Sequence, residues 1–211
     1  MIKSRQELKE YLQRDNCGWG TKSLILRIIK KIGGSENYKM NEFFRILRNY
    51  EYHLNTSGGG FLTKYWKFRY NHARTWSQLT VAPNSIGPGV KMVHPGYLRC
   101  DEWVHIGENA TILPNVFFGK RRSMDANNEA EIFVGDNVYI STGVIILGPV
   151  KIGNNVIIGA GSVVNKDVPD NATVAGVPAK IINNNYDIKN FQQSPSTDVV
   201  NVSSSFVEET C

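Results

Sequence analysis

The sequence has few cysteines, no long apolar run and no apolar leader. Its 211 residues include only three cysteines, at positions 17, 100 and 211, without any C-x-x-C spacing. Such a set fits a reducing compartment better than a disulfide framework or a metal site. No apolar run approaches the roughly 18 residues of a membrane span, and the start, MIKSRQELKEYLQRD, lacks the apolar core of a secretory signal. We therefore expect a cytoplasmic protein without a bound metal.

Motifs for nucleotide chemistry are also missing. The chain contains no P-loop, no paired-glycine dinucleotide fingerprint and no zinc-ligand spacing. Nothing in it indicates a nucleotidase, a dehydrogenase or a metalloenzyme, and no nucleic-acid partner is expected.

Charge is unevenly distributed along the chain. Residues 1–80 carry 15 Lys and Arg against 6 Asp and Glu, a balance of +9, whereas the remainder carries 9 against 13, a balance of −4. This split indicates two segments and an anionic partner for the basic one.

The basic segment has helical patterns. Ser4 and Glu7 form an S-x-x-E capping box, and TKSLILRIIKKIGG ends in lysines and glycines, as helices often do. Three-and-four spacing predicts another helix, with apolar positions at Met40, Phe43, Phe44, Leu47, Tyr50 and Leu54. A further helix is predicted after NTSGGG. One of its faces is aromatic, with Phe61, Tyr65 and Phe68, and another is cationic, with Lys64, Lys67 and Arg74.

From about residue 80, aliphatic residues return at every sixth position. The runs are Ile86, Met92 and Leu98; Ile106, Ile112 and Phe118, offset by two residues; and Val134, Ile140, Ile146, Ile152, Ile158 and Val164. A six-residue period is typical of parallel β-helices, in which each coil stacks on the one before and buries a continuous apolar column. An antiparallel all-β sandwich with coincidental spacing is the competing fold.

The breaks in this pattern predict the segment boundaries. GKRRSMDANNEAE is polar and out of phase, which predicts a protruding loop. Pro169 and Pro178 cannot continue a ladder, and the sequence beyond Ile182 is polar and aperiodic. We predict a small α-helical N-terminal domain over residues 1–79, a parallel β-helix over 80–182 and a polar C-terminal tail over 183–211.

The stretch IGNNVIIGAGSVVNKDVPDNATVAGVPAK resembles the closing rungs of the hexapeptide-repeat acyltransferases. The resemblance covers about residues 80 to 182. It implies a mainly β fold, a left-handed parallel β-helix, a homotrimer with active sites between subunits, and acetyl-coenzyme A as the acetyl donor.

IGPGVKMVHPGYLRC resembles the branch that holds serine acetyltransferases and capsular polysaccharide O-acetyltransferases, in which an I-G-x-G segment precedes the catalytic histidine by eight residues. Ile86 to His94 keeps that distance, so the resemblance assigns the catalytic role to His94.

A neutral imidazole suits this chemistry, because its pKa lies near working pH and it can move a proton from an alcohol to a leaving thiolate. A corner histidine that only stabilises a turn is the competing role for His94. Asp101 and Glu102 are the nearest downstream carboxylates and are expected to be solvated surface charges. His105 is expected to be an outward structural residue, and His53 and His72 ordinary helix residues.

Carried over by resemblance, the coenzyme-contacting positions are Thr142, Ala160, Asn165, Lys166 and Lys180. Small residues would let the pantetheine arm lie close to the coil, and the lysines offer ammonium groups to phosphate. Lys120, Arg121 and Arg122 could hold an anionic sugar, a nucleotide diphosphate or the coenzyme's phosphates. Solvated surface charge is the competing role for each of these cations.

Two departures bear on the acceptor. The serine enzymes place an Asp fifteen residues before the histidine, where this chain has Leu79, and an Arg-His-Pro stretch where it has NEAEIFVGD. Both favour a sugar hydroxyl of a surface polysaccharide or its precursor as acceptor, over serine. Three competing functions stay open: O-acetylation of serine, N-acetylation of a nucleotide-linked amino sugar, and a non-catalytic β-helix scaffold.

The basic aromatic helix around residues 61–74 fits contact with an anionic membrane surface. That contact would place the protein at the inner face of the membrane. Packing of the aromatics against the solenoid or a partner subunit is the preferred interpretation.

Overall fold

A computed structural model describes residues 1–15, 36–120 and 131–184 of the chain. Its helices are α1 (Arg5–Arg14), α2 (Glu36–Ser57) and α3 (Phe61–Ser77). Its strands are β1 (Leu79–Val81), β2 (Lys91–Met92), β3 (Leu98–Cys100), β4 (Val104–Ile106), β5 (Thr111–Ile112), β6 (Val116–Lys120), β7 (Ile132–Val134), β8 (Tyr139–Ile140), β9 (Ile145–Gly148), β10 (Val150–Ile152), β11 (Ile157–Ile158), β12 (Val163–Val164), β13 (Thr173–Ala175) and β14 (Lys180–Asn183). The helix expected from TKSLILRIIKKIGG, most of the predicted loop and nearly all of the tail lie outside the described residues.

The predicted capping box begins α1. Ser4 Oγ accepts a hydrogen bond from the backbone N–H of Glu7 at 3.1 Å, and the Glu7 carboxylate accepts one from the backbone N–H of Ser4 at 3.2 Å. Two N–H groups that the first turn leaves without helical partners are thereby satisfied.

Helices α2 and α3 pack as a pair beside the first strand. The apolar positions predicted on α2 are buried, with Leu54 partly buried against the same core. Tyr70 of α3 stacks on Tyr50 of α2 at 5.4 Å between ring centroids, and its hydroxyl donates to the carbonyl of Val81 in β1 at 2.6 Å. This contact joins the helical part to the β part.

Strands β1 to β13 form three parallel sheets that the chain visits in rotation. Sheet A contains β1, β3, β6, β9 and β12; sheet B contains β4, β7 and β10; sheet C contains β2, β5, β8, β11 and β13, with β14 added antiparallel. Ile157 lies opposite Tyr139, and Val163 opposite Ile145, so the coils in this part of the solenoid are 18 residues apart. One coil is 28 residues long, because Val104 lies opposite Ile132. The ten additional residues correspond to the predicted loop.

The six-residue count marks the interior of this solenoid. All six positions of the long run, from Val134 to Val164, are at most 4% exposed. The phase shift, however, falls elsewhere than the sequence indicates. Leu98 lies opposite Val116, not Phe118, so the two extra residues stand before β3. They belong to the corner that carries His94.

Glycine and asparagine build the corner between sheets B and C. A Cβ on Gly107 would lie 2.8 Å from the backbone of Gly135, and one on Gly135 would lie 2.8 Å from that of Gly153. The coils therefore approach too closely here for a side chain. Two residues further on, four successive coils have an asparagine with φ between 56° and 60°: Asn109, Asn137, Asn155 and Asn171. The side-chain amide of each of the first three donates to the asparagine of the next coil at 3.0–3.1 Å.

Within the described ranges, no helix is both long enough and apolar enough to cross a bilayer.

Candidate active site

His94 lies exposed on the corner between β2 and β3. This corner has five residues, 93–97, whereas the corner below it, between β5 and β6, has three, 113–115. The backbone hydrogen bonds between these two coils continue as far as the insertion, since the N–H of Val93 donates to the carbonyl of Ile112 at 3.4 Å. The extra chain therefore places the His94 segment outside the regular coil.

Gly96 anchors this insertion on the coil below. A Cβ at Gly96 would lie 2.5 Å from the Cβ of Pro114, a distance that real Cβ atoms do not show. Only glycine lets the inserted corner come this close to Pro114. The sequence therefore needs a glycine two residues after His94 for a packing reason.

Thr142 and Ala160 lie on the same corner as His94. Lys91, Thr111, Tyr139 and Ile157 are mutually opposite in sheet C. Three residues beyond the last three of these, the register aligns Pro114, Thr142 and Ala160, and Gly176 continues the row from Thr173. Gly96 lies on Pro114, so the row begins at the inserted corner that carries His94. Thr142 Oγ1 donates to the carbonyl of Pro114 at 2.9 Å, and the N–H of Gly161 donates to that of Thr142 at 2.9 Å. The column spans four strand spacings, about 19 Å in all.

Lys180 stands at the far end of this column. It begins β14 opposite Ala175, and the preceding Ala179 donates its N–H to the carbonyl of Val163 at 2.8 Å. The turn over residues 176–179 therefore folds back over the last coil, and Lys180, which follows it, is exposed. The outer side of the corner that Ala160 occupies is open, because nothing lies within 4 Å of a Cβ built on Gly161.

Asn165, Lys166 and Lys120 belong to the next corner, between sheets A and B. The register of sheet A, continued past β12, places Lys166 opposite Gly148 and Gly148 opposite Lys120. This corner lies five residues along the coil from Ala160, about 16 Å for extended chain. Within one chain, the predicted coenzyme residues therefore form two separate groups.

The buried Oδ1 atom of Asn165 has no hydrogen-bond partner among the described residues. A buried carbonyl oxygen without a donor costs about 1–3 kcal/mol. The contact of Asn165 with the coenzyme stays a prediction.

Lys120 has an aromatic neighbour. Its ammonium lies 5.1 Å from the centre of the Trp103 ring, and Trp103 helps to line a cleft of ≈ 710 Å³ between α3 and the first coil. Lys67, Arg74 and Arg99 lie along the same cleft. Arg121 and Arg122, the other predicted substrate-binding cations, lie outside the described residues.

A buried ion network fixes the segment that leads to His94, and the sequence did not reveal it. Arg48 of α2 is fully buried, donating to Asp15 at 2.7 Å and to Glu51 at 3.0 Å. Its guanidinium also donates to the carbonyls of Ile86 and Gly87, both at 2.8 Å. Burial by itself lowers the pKa of Arg48, but the two carboxylates together raise it by more, so the net direction is upward.

The carboxylates of this network also bind the backbone of the I-G-x-G segment. Asp15 Oδ1 accepts from the N–H of Gly89 at 2.7 Å and from that of Val90 at 3.2 Å. Glu51 accepts from the N–H of Asn84 at 2.8 Å. The sequence does contain one indication of this network. Arg48 and Glu51 lie within the apolar stripe of α2, where a helix that faces a core has no unpaired charges.

The other titratable residues have structural surroundings. His105 is the outward residue of β4 and stacks on Phe133 at 4.9 Å, and His53 stacks on Trp66 at 6.3 Å. Asp101 accepts from Arg99 at 3.0–3.1 Å. Leu79, at the position of the serine enzymes' Asp, is fully buried. Across the described residues, no three His, Cys, Asp or Glu side chains lie where they could hold a metal ion.

Comparisons with known proteins agree with this architecture. Residues 131–166 match the family described as bacterial transferase hexapeptide (six repeats). A galactoside O-acetyltransferase of Escherichia coli K12 is 41% identical over 90 residues, which are 39% of this chain and 44% of that protein. A serine acetyltransferase of Buchnera aphidicola is 40% identical over 98 residues, 46% of this chain and 37% of that protein. The chain thus spans less than half the length of these two relatives.

Solved structures extend the likeness to the helical part. Serine acetyltransferase from Brucella abortus strain S19 superposes with a TM-score of 0.64 at 25% identity, covering 85% of this chain and 70% of that one. The same enzyme in complex with coenzyme A gives a TM-score of 0.64 at 24% identity, covering 86% and 70%. In its repeat, its relatives and its fold, the chain is similar to the hexapeptide-repeat acyltransferases.

Proposed function

We propose that the protein is an acetyl-coenzyme A-dependent O-acetyltransferase that acts on a sugar hydroxyl of a surface polysaccharide or its precursor. The observation that carries this proposal is the corner column, in which an exposed histidine on an inserted segment precedes a row of small residues, Thr142 and Ala160. The solenoid would be left-handed, as in the family that the sequence resembles. The domains would be residues 1–79, 80–182 and 183–211.

In this proposal the donor lies along the column. Thr142, Ala160 and the open position above Gly161 leave room for the pantetheine arm, and Lys180 lies near one end for a phosphate. Asn165 and Lys166 stand one corner away, so a second copy must supply them to the same groove. This separation supports the homotrimer with shared sites that the family resemblance implies.

His94 would act as the general base. Its neutral imidazole takes the proton of the acceptor hydroxyl while the oxygen forms a bond to the thioester carbonyl carbon. When the tetrahedral intermediate collapses, the carbon–sulfur bond breaks and the imidazolium returns the proton to the thiolate. The products are an acetyl ester and free coenzyme A, with His94 neutral again.

Serine remains the second candidate acceptor, favoured by the names of the solved structures that the fold matches. Against it stands Leu79, which is fully buried in β1 and supplies no carboxylate to orient an imidazole. N-acetylation of a nucleotide-linked amino sugar is the third candidate.

The test is thiol release from acetyl-coenzyme A with sugars, nucleotide sugars and serine as acceptors. We expect turnover with a sugar hydroxyl and little with serine; efficient turnover of serine at millimolar concentration or below would contradict the sugar acceptor. His94→Asn should lower turnover about 10²–10⁴-fold while the variant still binds acetyl-coenzyme A. His105→Asn, an outward histidine of the next coil, is the matched control and should stay within a fewfold of wild type. Equal turnover of the two variants would remove His94 from the mechanism.

A further inference from the structure

The exposed face of α3 is a continuous aromatic stripe. Phe61 is 82% exposed, Phe68 73%, Tyr65 45% and Trp76 36%. With His72 between them, these positions follow the spacing 61, 65, 68, 72, 76, which is one face of a helix. The buried residues of α3, Thr63, Tyr70, Ala73 and Ser77, lie on the opposite side. The stripe therefore points away from the body of the protein and does not pack against the solenoid.

Cations flank this stripe, and α3 itself contributes no carboxylate. The 17 residues of α3 include four Lys or Arg and no Asp or Glu. Lys64 is exposed beside the stripe, and Lys67 is exposed further round the helix, towards the cleft that Trp103 helps to line. On the other edge, Arg69 donates to Glu42 of α2 at 3.3 Å and lies over the rings of Trp66 and Tyr65, at 5.2 and 6.0 Å.

A groove of ≈ 470 Å³ between α2 and α3 runs beside the stripe. Phe68 and Trp76 form its aromatic wall, and Lys39, Arg69 and His72 also line it, together with Glu42, whose carboxylate is paired with Arg45 and Arg69. Apolar walls with cationic side chains around them match a molecule that has a hydrocarbon part and a negative head. Phospholipids of an anionic bilayer have this composition.

We propose that α3 docks on an anionic membrane surface, with the aromatic stripe at the boundary of headgroups and acyl chains and with Lys64 and Lys67 on lipid phosphates. A contiguous exposed apolar face marks an interaction site, and aromatic side chains with flanking lysines are typical of helices that lie in the membrane interface. A two-fold contact of α3 with the same helix of a second copy fits less well, because it would bring the cations of α3 close to one another. This inference is independent of the acceptor and of His94.

The experiment is co-sedimentation of the full chain with vesicles of phosphatidylcholine alone and of phosphatidylcholine with phosphatidylglycerol. We expect retention on the anionic vesicles only, weakening as salt rises because exposed charges are screened. A blue shift of the tryptophan emission on binding, lost in Trp76→Phe, would place the stripe at the bilayer.

Matched variants distinguish binding through α3 from binding that depends only on the net charge of the protein. Each lysine near an anionic surface strengthens binding by about fivefold, so Lys64→Gln/Lys67→Gln should bind about 30-fold more weakly. Lys91→Gln/Lys151→Gln removes the same charge from exposed lysines of the solenoid and should keep most of the retention. Phe61→Ser/Phe68→Ser should lose retention, whereas Phe133→Ser, 41% exposed on β7, should not.

Equal weakening by the two lysine pairs, equal retention on uncharged vesicles, or no retention of the wild type would overturn the proposal. If retention is absent and Phe61→Ser/Phe68→Ser elutes as a smaller species than wild type in size-exclusion chromatography, the stripe is an interface between copies of this chain.

Discussion

The first coil and the later coils of the solenoid are held by different means. In the later coils, the corner between sheets B and C is a ladder of asparagines, from Asn109 to Asn171, each bonded to its neighbour. At the equivalent place in the first coil stands Gly89, which has φ +83° and no side chain to join the ladder. Its N–H donates to Asp15 instead. The helical part thus takes the place of a preceding coil.

This difference concerns the coil that carries His94. The regular coils support one another through repeated contacts, as in any solenoid. The first coil has an inserted corner and depends on Arg48, Asp15 and Glu51, none of which repeats. We infer that the helical part positions the candidate base, whereas the later coils provide the surface for the donor.

The largest stability effect is expected from Arg48→Leu. Removal of the guanidinium leaves two buried carboxylates without their cation, which costs about 3–5 kcal/mol. Hydrogen exchange should increase over α2 and residues 82–92 and change little in the later coils. Arg99→Leu removes an exposed pair with Asp101 and should cost less than about 1 kcal/mol. Uniform loss of protection along the whole solenoid would contradict the distinction between the two regions.

Gly96→Ala should disturb the inserted corner alone. The new Cβ would overlap Pro114, and overpacking of this kind costs about 1–3 kcal/mol. We expect a comparable drop in the free energy of unfolding and a loss of turnover from displacement of His94. Gly60→Ala is the control, since its Cβ would lie 3.9 Å from the nearest atom. Unchanged turnover in Gly96→Ala would show that the corner tolerates movement.

Tyr70 makes the junction sensitive to alkaline pH. Burial raises its pKa to about 12, whereas an unfolded tyrosine titrates near about 10. The folded state holds the proton more tightly, so this stability is complete below pH 10 and is lost as pH rises towards 12, by up to about 2 kcal/mol. Denaturant titrations over this window should show a steeper fall of stability with pH in the wild type than in Tyr70→Phe, in which the other buried tyrosines still contribute. Tyr139→Phe on β8, where burial also raises the pKa, reports on a later coil for comparison.

The smallest single effect is expected from Asn137→Gly in the asparagine ladder. Asn137→Gly keeps the positive φ but removes the side-chain bonds to Asn109 and Asn155, at about 1 kcal/mol. Asn137→Ala should cost about 1–2 kcal/mol more, because alanine is strained at φ 56°. Thermal unfolding of both variants measures the difference, and an alanine variant as stable as the glycine one would exclude backbone strain at this corner.

Much of the fold could be predicted from the sequence because its determinants are local. The capping box at Ser4, the apolar stripe of α2 and the six-residue count each depend on neighbours a few positions apart, and all three are confirmed. The repeat also constrains the register, since every inward residue must meet another inward residue in the coil below. The count alone could not locate the two-residue insertion, because Leu98 and Cys100 both face inward and either satisfies the pattern.

The candidate site shows the same division. His94 and its distance from Ile86 are properties of the sequence, and so are the identities of Thr142, Ala160 and Asn165. Only the tertiary structure decided that the first two share a corner with His94 and that Asn165 does not, because a corner is defined by pairing between residues 18 or more positions apart. Likewise, Arg48 and Asp15 are 33 residues apart in the sequence. No local sequence pattern predicts that they bind each other or that Asp15 accepts a hydrogen bond from the backbone of Gly89. Local spacing determined which residues point inward; the stacking of coils and helices decided which of the outward ones meet.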